Sequence, residues 1–184
     1  MNGRLALTAM MLLAAACGRG PDSPTQAEAE KPVRSISSEP TDAQAATPGH
    51  SNQRVALASG EVLEVADGVA VLRGPDGAKL AENARVIRRP DPGGACLADG
   101  FRAAEAASEG FVLRNQLCSG WFFIEEVMTF APSGDGYVLV RFSATYLDRR
   151  TAEPDGAPRV LTESELGHRR FQDLDPDDLY SQFD

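Results

Sequence analysis

From Arg54 onward, apolar and polar positions alternate in short runs bounded by turn residues, the period of half-buried β-strands. Val62-Leu63-Glu64-Val65 and Val69-Ala70-Val71-Leu72 flank Asp67-Gly68. That dipeptide tolerates positive φ at both positions and predicts a tight hairpin. Gly74-Pro75-Asp76-Gly77 predicts a second turn, because proline presets its second residue and glycine closes it. Ala78 to Ile87 fits either a strand or a short helix, and Pro90-Asp91-Pro92-Gly93-Gly94 reads as a loop leading to Cys96. Phe101 to Ser108 is alanine-rich and predicts a helical turn or two.

The best-defined apolar pattern follows. Phe111 to Leu117 predicts a strand, Cys118-Ser119-Gly120 a bend, and Trp121 to Phe130 the most apolar segment of the folded part. Tyr137 to Tyr146 is its natural antiparallel neighbour across a Pro132-Ser133-Gly134-Asp135-Gly136 turn. Period-two alternation places Trp121, Phe123, Glu125 and Val127 on one face, and Phe122, Ile124, Glu126 and Met128 on the other. Aromatics on both faces predict a central strand covered on both sides, with Trp121, Phe122 and Phe123 in the core. After Leu161 the period turns helical: Thr162 with Glu165 three residues on is a capping-box pattern, and Asp175-Pro176 is a second helix start. The expected class is mainly β (α+β), an antiparallel sheet or small sandwich or partial propeller-like domain with short C-terminal helices.

The N-terminal third follows other rules. Met1-Asn2-Gly3-Arg4 is basic, Leu5 to Ala16 is apolar apart from Thr8, and small residues precede Cys17. This is secretory-signal composition, and it falls short of the about 20 apolar residues needed to span a bilayer. Ala15-Ala16-Cys17 resembles the lipobox of bacterial lipoproteins, in which the cysteine is acylated and becomes the mature N-terminus. Ordinary cleavage after Ala14-Ala15-Ala16 is the alternative. Residues 18–53 have no aromatic residue and recurrent proline, a composition that cannot offset its ordering entropy, and so read as a disordered tether. The expected plan is therefore a signal with acceptor Cys17 over 1–17, the tether over 18–53 and a β-rich domain over 54–184. Gly18 after the cysteine, in place of Asp, resembles the pattern for sorting to an outer membrane.

Export changes how the cysteines are read. With Cys17 carrying lipid, Cys96 and Cys118 form an even pair in an oxidising compartment, and a disulfide is expected. Zinc lacks partners, since the only histidines, His50 and His168, sit at no ligand spacing from either cysteine.

Charge narrows the partners. A formal net charge of −9 argues against nucleic acid, which requires a basic face. Asp173, Asp175, Asp177 and Asp184 fall at positions 1, 3, 5 and 12 of a calcium-loop pattern, which makes Ca²⁺ the one candidate cofactor. Against it, Asp178 occupies the position where such a loop needs glycine, and acids at Asp175-Pro176-Asp177-Asp178 equally suit the start of a helix.

Self-contained catalytic chemistry is not legible. With His50 in the tether, His168 stands alone beside two arginines and reads as a solvated residue of a surface helix, and the adjacent Glu125 and Glu126 point to opposite faces of a strand. Arg114, Trp121, Tyr146, Asp148, Arg149 and Arg150 are the candidate partner contacts, because arginine and large aromatics make binding hot spots. The last four sit where a strand exits into the Thr151 to Pro158 loop.

The run Glu109 to Arg114, then Cys118 to Phe123, Thr129-Phe130, Tyr137 to Leu139, Tyr146 to Arg150 and Val160 to Thr162 resembles poorly characterised bacterial envelope lipoproteins. The likeness spans about Glu109 to Gly167. It implies a β-rich, sometimes propeller-like domain. Some lipoproteins of similar build are periplasmic immunity proteins that inhibit cell-wall-degrading toxins, so it implies a periplasmic protein partner of that kind. The leading expectation is a lipid-anchored periplasmic binding protein, not an enzyme. A structural or assembly lipoprotein of the envelope is the alternative, and a small hydrolase using Glu125 or the C-terminal acids is the third.

Overall fold

The computed structural model describes residues 52–90, 96, 100–134 and 136–183. The signal, Cys17 and the tether up to Ser51 lie outside them, as does Asp184.

Two antiparallel meanders make the domain. The first has four strands in chain order: β1 (Gln53–Ala56), β2 (Val62–Ala66), β3 (Val69–Arg73) and β4 (Lys79–Asn83). The second has five: β5 (Gly100–Ala107), β6 (Gly110–Ser119), β7 (Phe122–Ser133), β8 (Gly136–Asp148) and β9 (Arg159–Thr162). The mainly β class is what forms, and within each sheet consecutive strands pair through short turns, except for the longer loop that joins β8 to β9. Asp67 and Gly68, at φ 52° and 74°, close the β2–β3 hairpin as their residue types predict. Gly77 N–H donates to Gly74 O at 2.9 Å to turn β3 into β4.

Two local expectations are corrected, and one strand is added that the pattern did not announce. Phe101 to Ala107 of this stretch belongs to strand β5, Ser108 to the turn after it, and no helix forms, because pairing along β6 supplies hydrogen bonds and burial that outweigh alanine's weak helical preference. A short strand, β9, pairs with β8 at Arg141 to Ala144 beyond the loop. Strand β7 is central, but one of its faces is open: Ile124, Glu126 and Met128 are buried, whereas Glu125 is exposed and Phe123 and Val127 only half-buried.

A single core joins the two sheets. Leu63, Val65, Ala70 and Leu72 of the first pack with Phe111, Leu113, Met128, Phe130 and Leu139 of the second. Phe111 stacks on Phe130 at 4.8 Å, and Phe171 meets both rings edge-on. Gly110 permits this: at φ +107° it lies so near the Phe130 carbonyl that a Cβ would collide with it. Ala104 N–H donates to Gln53 Oε1 at 2.6 Å, tying the edge strands β5 and β1. Tyr137 Oη donates to Glu61 and contacts Ser59 Oγ at 3.2 Å, tying β8 to the β1–β2 turn.

The C-terminal segment completes the fold. Glu165 accepts from both the N–H and the hydroxyl of Thr162 at 2.7 Å, starting α1 (Glu163–Leu166) in the expected capping-box manner. A 3-10 turn (Phe171–Asp173) leads to α2 (Asp177–Tyr180), which begins directly after Pro176 with Asp175 Oδ1 accepting from Asp177 N–H. Tyr180 and Phe183 then pack on Phe142. Asn83, buried, donates through Nδ2 to the Phe171 and Leu174 carbonyls, so the end of β4 holds the segment down. Among the described residues no helix is long and apolar enough to cross a membrane.

Candidate functional site

The β6–β7 hairpin turns in two residues, Gly120 and Trp121, between the closing pair Ser119 and Phe122. Gly120 takes a φ of 56°, which suits glycine at a tight turn. Trp121, following it, is left 77% exposed. The expectation of Trp121 in the core is thus wrong, because the turn falls one residue later than the Cys118-Ser119-Gly120 pattern suggests. Phe122, by contrast, is half-buried edge-on to Tyr146 at 5.9 Å.

The end of β8 braces this tip. Arg149 N–H donates to Trp121 O, and Arg149 Nη1 donates to Gly120 O, both at 3.0 Å. The same guanidinium lies 5.5 Å from the centre of the Phe123 ring, a cation–π distance. Asp148 shapes the next turn by accepting from the N–H groups of Arg150 at 2.7 Å and Thr151 at 3.4 Å. Those backbone donors, then the Arg150 side chain 3.5 Å away, hold the Asp148 carboxyl below the usual carboxylate range. Asp148 and Leu147 also pair back onto Glu153 and Pro154, so the loop folds over its own strand.

The disulfide sits at the root of the same tip. Cys96 and Cys118 are bonded, with Cα atoms 6.1 Å apart, and Cys118 pairs in register with Phe123. Gly120, Trp121, Arg149 and Arg150 line an open surface concavity of about 520 Å³.

Of the six expected partner contacts, the fold therefore gathers Trp121, Asp148, Arg149 and Arg150. Tyr146 supports them from the core side, with Arg159 over its ring at 5.1 Å. Arg114 stands apart, about 20 Å along the strand from the turn, and pairs with Glu105 at 3.3 Å.

The C-terminal acids engage arginines. Asp175 lies 3.5 Å from Arg85 and Asp177 2.7 Å from Arg88. Among the described residues no group of three His, Cys, Asp or Glu side chains is placed to hold a metal ion. Calcium was the candidate ranked below a helix start for Asp173, Asp175, Asp177 and Asp184, and the first three do not converge on a common point.

One important cluster was missed by sequence reasoning. Glu126 is fully buried and accepts from Arg88 Nε and Nη2, Asn115 Nδ2 and Tyr180 Oη. Its signal was present: a single acid on the otherwise apolar face Phe122, Ile124, Met128. Burial pulls the Arg88 pKa down, but hydrogen bonds to Glu126 and Asp177 outweigh it and leave it raised. Compared with protein-family models, curated proteins and solved structures, the chain shows no match to any.

Proposed function

We propose that this protein is an exported, lipid-anchored binding module of the periplasm that meets its protein partner with the Trp121 tip. The observation that carries this reading is the indole itself, 77% exposed on a braced hairpin and flanked by two guanidinium groups. Trp and Arg dominate binding hot spots because they combine large apolar area with directional donors. The tip is also preorganised by Arg149 and anchored at the disulfide, so little ordering entropy is lost when it docks. An exposed indole with guanidinium neighbours supplies contact chemistry; it contains no nucleophile or general base.

The most concrete form of this reading, supported by the resemblance to envelope lipoproteins, is an immunity protein that inhibits a cell-wall-degrading toxin. Its test is titration calorimetry against the product of an exported toxin gene adjoining this one. Tight binding that Trp121→Ala abolishes is the expected result. A wild-type chain that neither binds that product nor protects cells from it overturns the immunity reading. Export is tested separately by fractionation and by incorporation of labelled palmitate, which Cys17→Ser should eliminate.

A further inference from the structure

A second site lies on the strip that follows α1. Gly167, at φ +64°, ends the helix, and His168-Arg169-Arg170 then runs along the start of β8. The backbone is fixed there: Leu139 N–H donates to Arg169 O at 2.9 Å, Arg170 bridges Val138, and Asp173 N–H returns to Arg170 O at 3.2 Å. The three side chains line a cleft of about 320 Å³ whose remaining walls are Asp173 and Leu174. A smaller recess adjoins it, sharing His168 and Arg170 and adding Ser133 and Gln172.

The charge pattern singles this cleft out. Elsewhere among the described residues six arginines are matched to acids: Arg54 and Arg73 to Glu64, Arg85 to Asp175, Arg88 to Glu126 and Asp177, Arg114 to Glu105, Arg150 to Asp148, while Arg89 bonds carbonyl oxygens and Arg159 lies over the Tyr146 ring. Among the described residues the Arg170 guanidinium has no such acid within ion-pair distance, and neither does Arg169, which donates only Nε to Leu166 O at 3.2 Å. In a chain of net charge −9, two guanidinium groups without an acid partner, against the single carboxylate of Asp173, form a local reversal of sign on one fixed strip. Guanidinium groups match the paired oxygens of an oxyanion through parallel N–H donors.

We propose that this cleft binds an oxyanion, carboxylate or phosphate, through Arg169 and Arg170, with His168 and Gln172 as further donors. Asp173 at the rim lowers affinity for free anions and leaves room for a ligand that carries a cation beside its anionic group.

The test is titration of the isotope-labelled full chain with inorganic phosphate and, separately, with acetate, followed by amide chemical shifts. Saturable shifts centred on residues 168–173 are expected, and the tighter of the two probes identifies the oxyanion. Arg170→Ala should weaken that binding about tenfold, the loss of one charged hydrogen-bonding group, with an unchanged melting temperature. Asp173→Asn should tighten it. Arg54, exposed on β1 at the opposite edge of its sheet from β4, the strand that packs on residues 171–173, provides the control. Absence of saturable shifts for both probes overturns the proposal, and so does an equal weakening by Arg54→Ala, which would mark a general charge effect.

Discussion

Glu126, fully buried on the central strand, receives both arms of the Arg88 guanidinium, Nη2 at 2.7 Å and Nε at 3.0 Å. The pair joins segments that no local rule connects: the turn after β4, the middle of β7 and, through Asp177 and Tyr180, helix α2. A carboxylate in the interior is tolerated only with its lone pairs satisfied, and here two donor groups besides the arginine complete the set.

Breaking that pair should be costly. Glu126→Ala leaves a buried guanidinium without its main partner, and Arg88→Ala leaves a buried carboxylate; each is expected to lower stability by about 3–5 kcal/mol. Replacing both by apolar residues of similar volume should restore much of the loss, because two desolvated charges then disappear together. Urea denaturation of the two single variants and the double variant measures this, and single variants as stable as the parent would contradict it.

Alkali should loosen the fold through its buried phenols. Burial, and then the Glu126 charge and hydrogen bond, raise the Tyr180 pKa; burial and the hydrogen bond to Glu61 raise that of Tyr137. In the unfolded chain both ionise near the ordinary value of 10.0. Stability is therefore undiminished below that pH and falls as pH rises above it, while the unfolded state releases protons that the folded state keeps. Tyr180→Phe should flatten the alkaline limb of a melting-temperature profile. An identical limb in parent and variant would refute the assignment.

Glycine positions should separate sharply. Gly77 has positive φ but open space around it, so Gly77→Ala is expected to cost about 1 kcal/mol of backbone strain. Gly110→Ala adds a collision with the Phe130 carbonyl beneath the stacked Phe111 and Phe130 rings, and about 3 kcal/mol is expected. Thermal melts of the two variants compare them directly.

These relationships also mark what the sequence could convey. Turn chemistry is local, so Asp67-Gly68, Gly74 to Gly77 and the Thr162–Glu165 box were all legible. Strand alternation divided Phe122, Ile124, Glu126 and Met128 correctly from Phe123, Glu125 and Val127, but it could not say that one face would stay open. Phe101 to Ser108 looked helical because alanine's preference is local while its pairing with β6 is not. Trp121 looked like core because hydrophobicity is blind to a turn that falls beside it. Arg88, separated from Glu126 by thirty-eight residues, is a partner that only the fold brings within reach.

Stapling of the site by its disulfide can be weighed in advance. Cys96 and Cys118 are 22 residues apart, and closing a loop of that size restricts the unfolded chain by about 3 kcal/mol. Replacing both by serine should lower stability by roughly that amount, read from chemical denaturation under oxidising conditions. A change below experimental error would mean that the loop is already restrained when the cysteines are reduced.

Trp121 should behave in the opposite way. A tryptophan truncated in a core costs about 3–5 kcal/mol, because transfer energy is lost and a cavity remains. An indole that is 77% exposed has given up little water contact, and its neighbours lean on its backbone oxygen more than on its ring. Trp121→Ala is therefore expected to leave stability within about 0.5 kcal/mol of the parent. Its fluorescence adds a second reading, since the chain has a single tryptophan and the parent should emit at the red-shifted wavelength of a hydrated indole. If the variant unfolds several kcal/mol more easily, or if the parent emission is blue-shifted, the ring is packed and the tip is not a contact surface. If neither occurs, any partner lost on truncation was held by the indole itself.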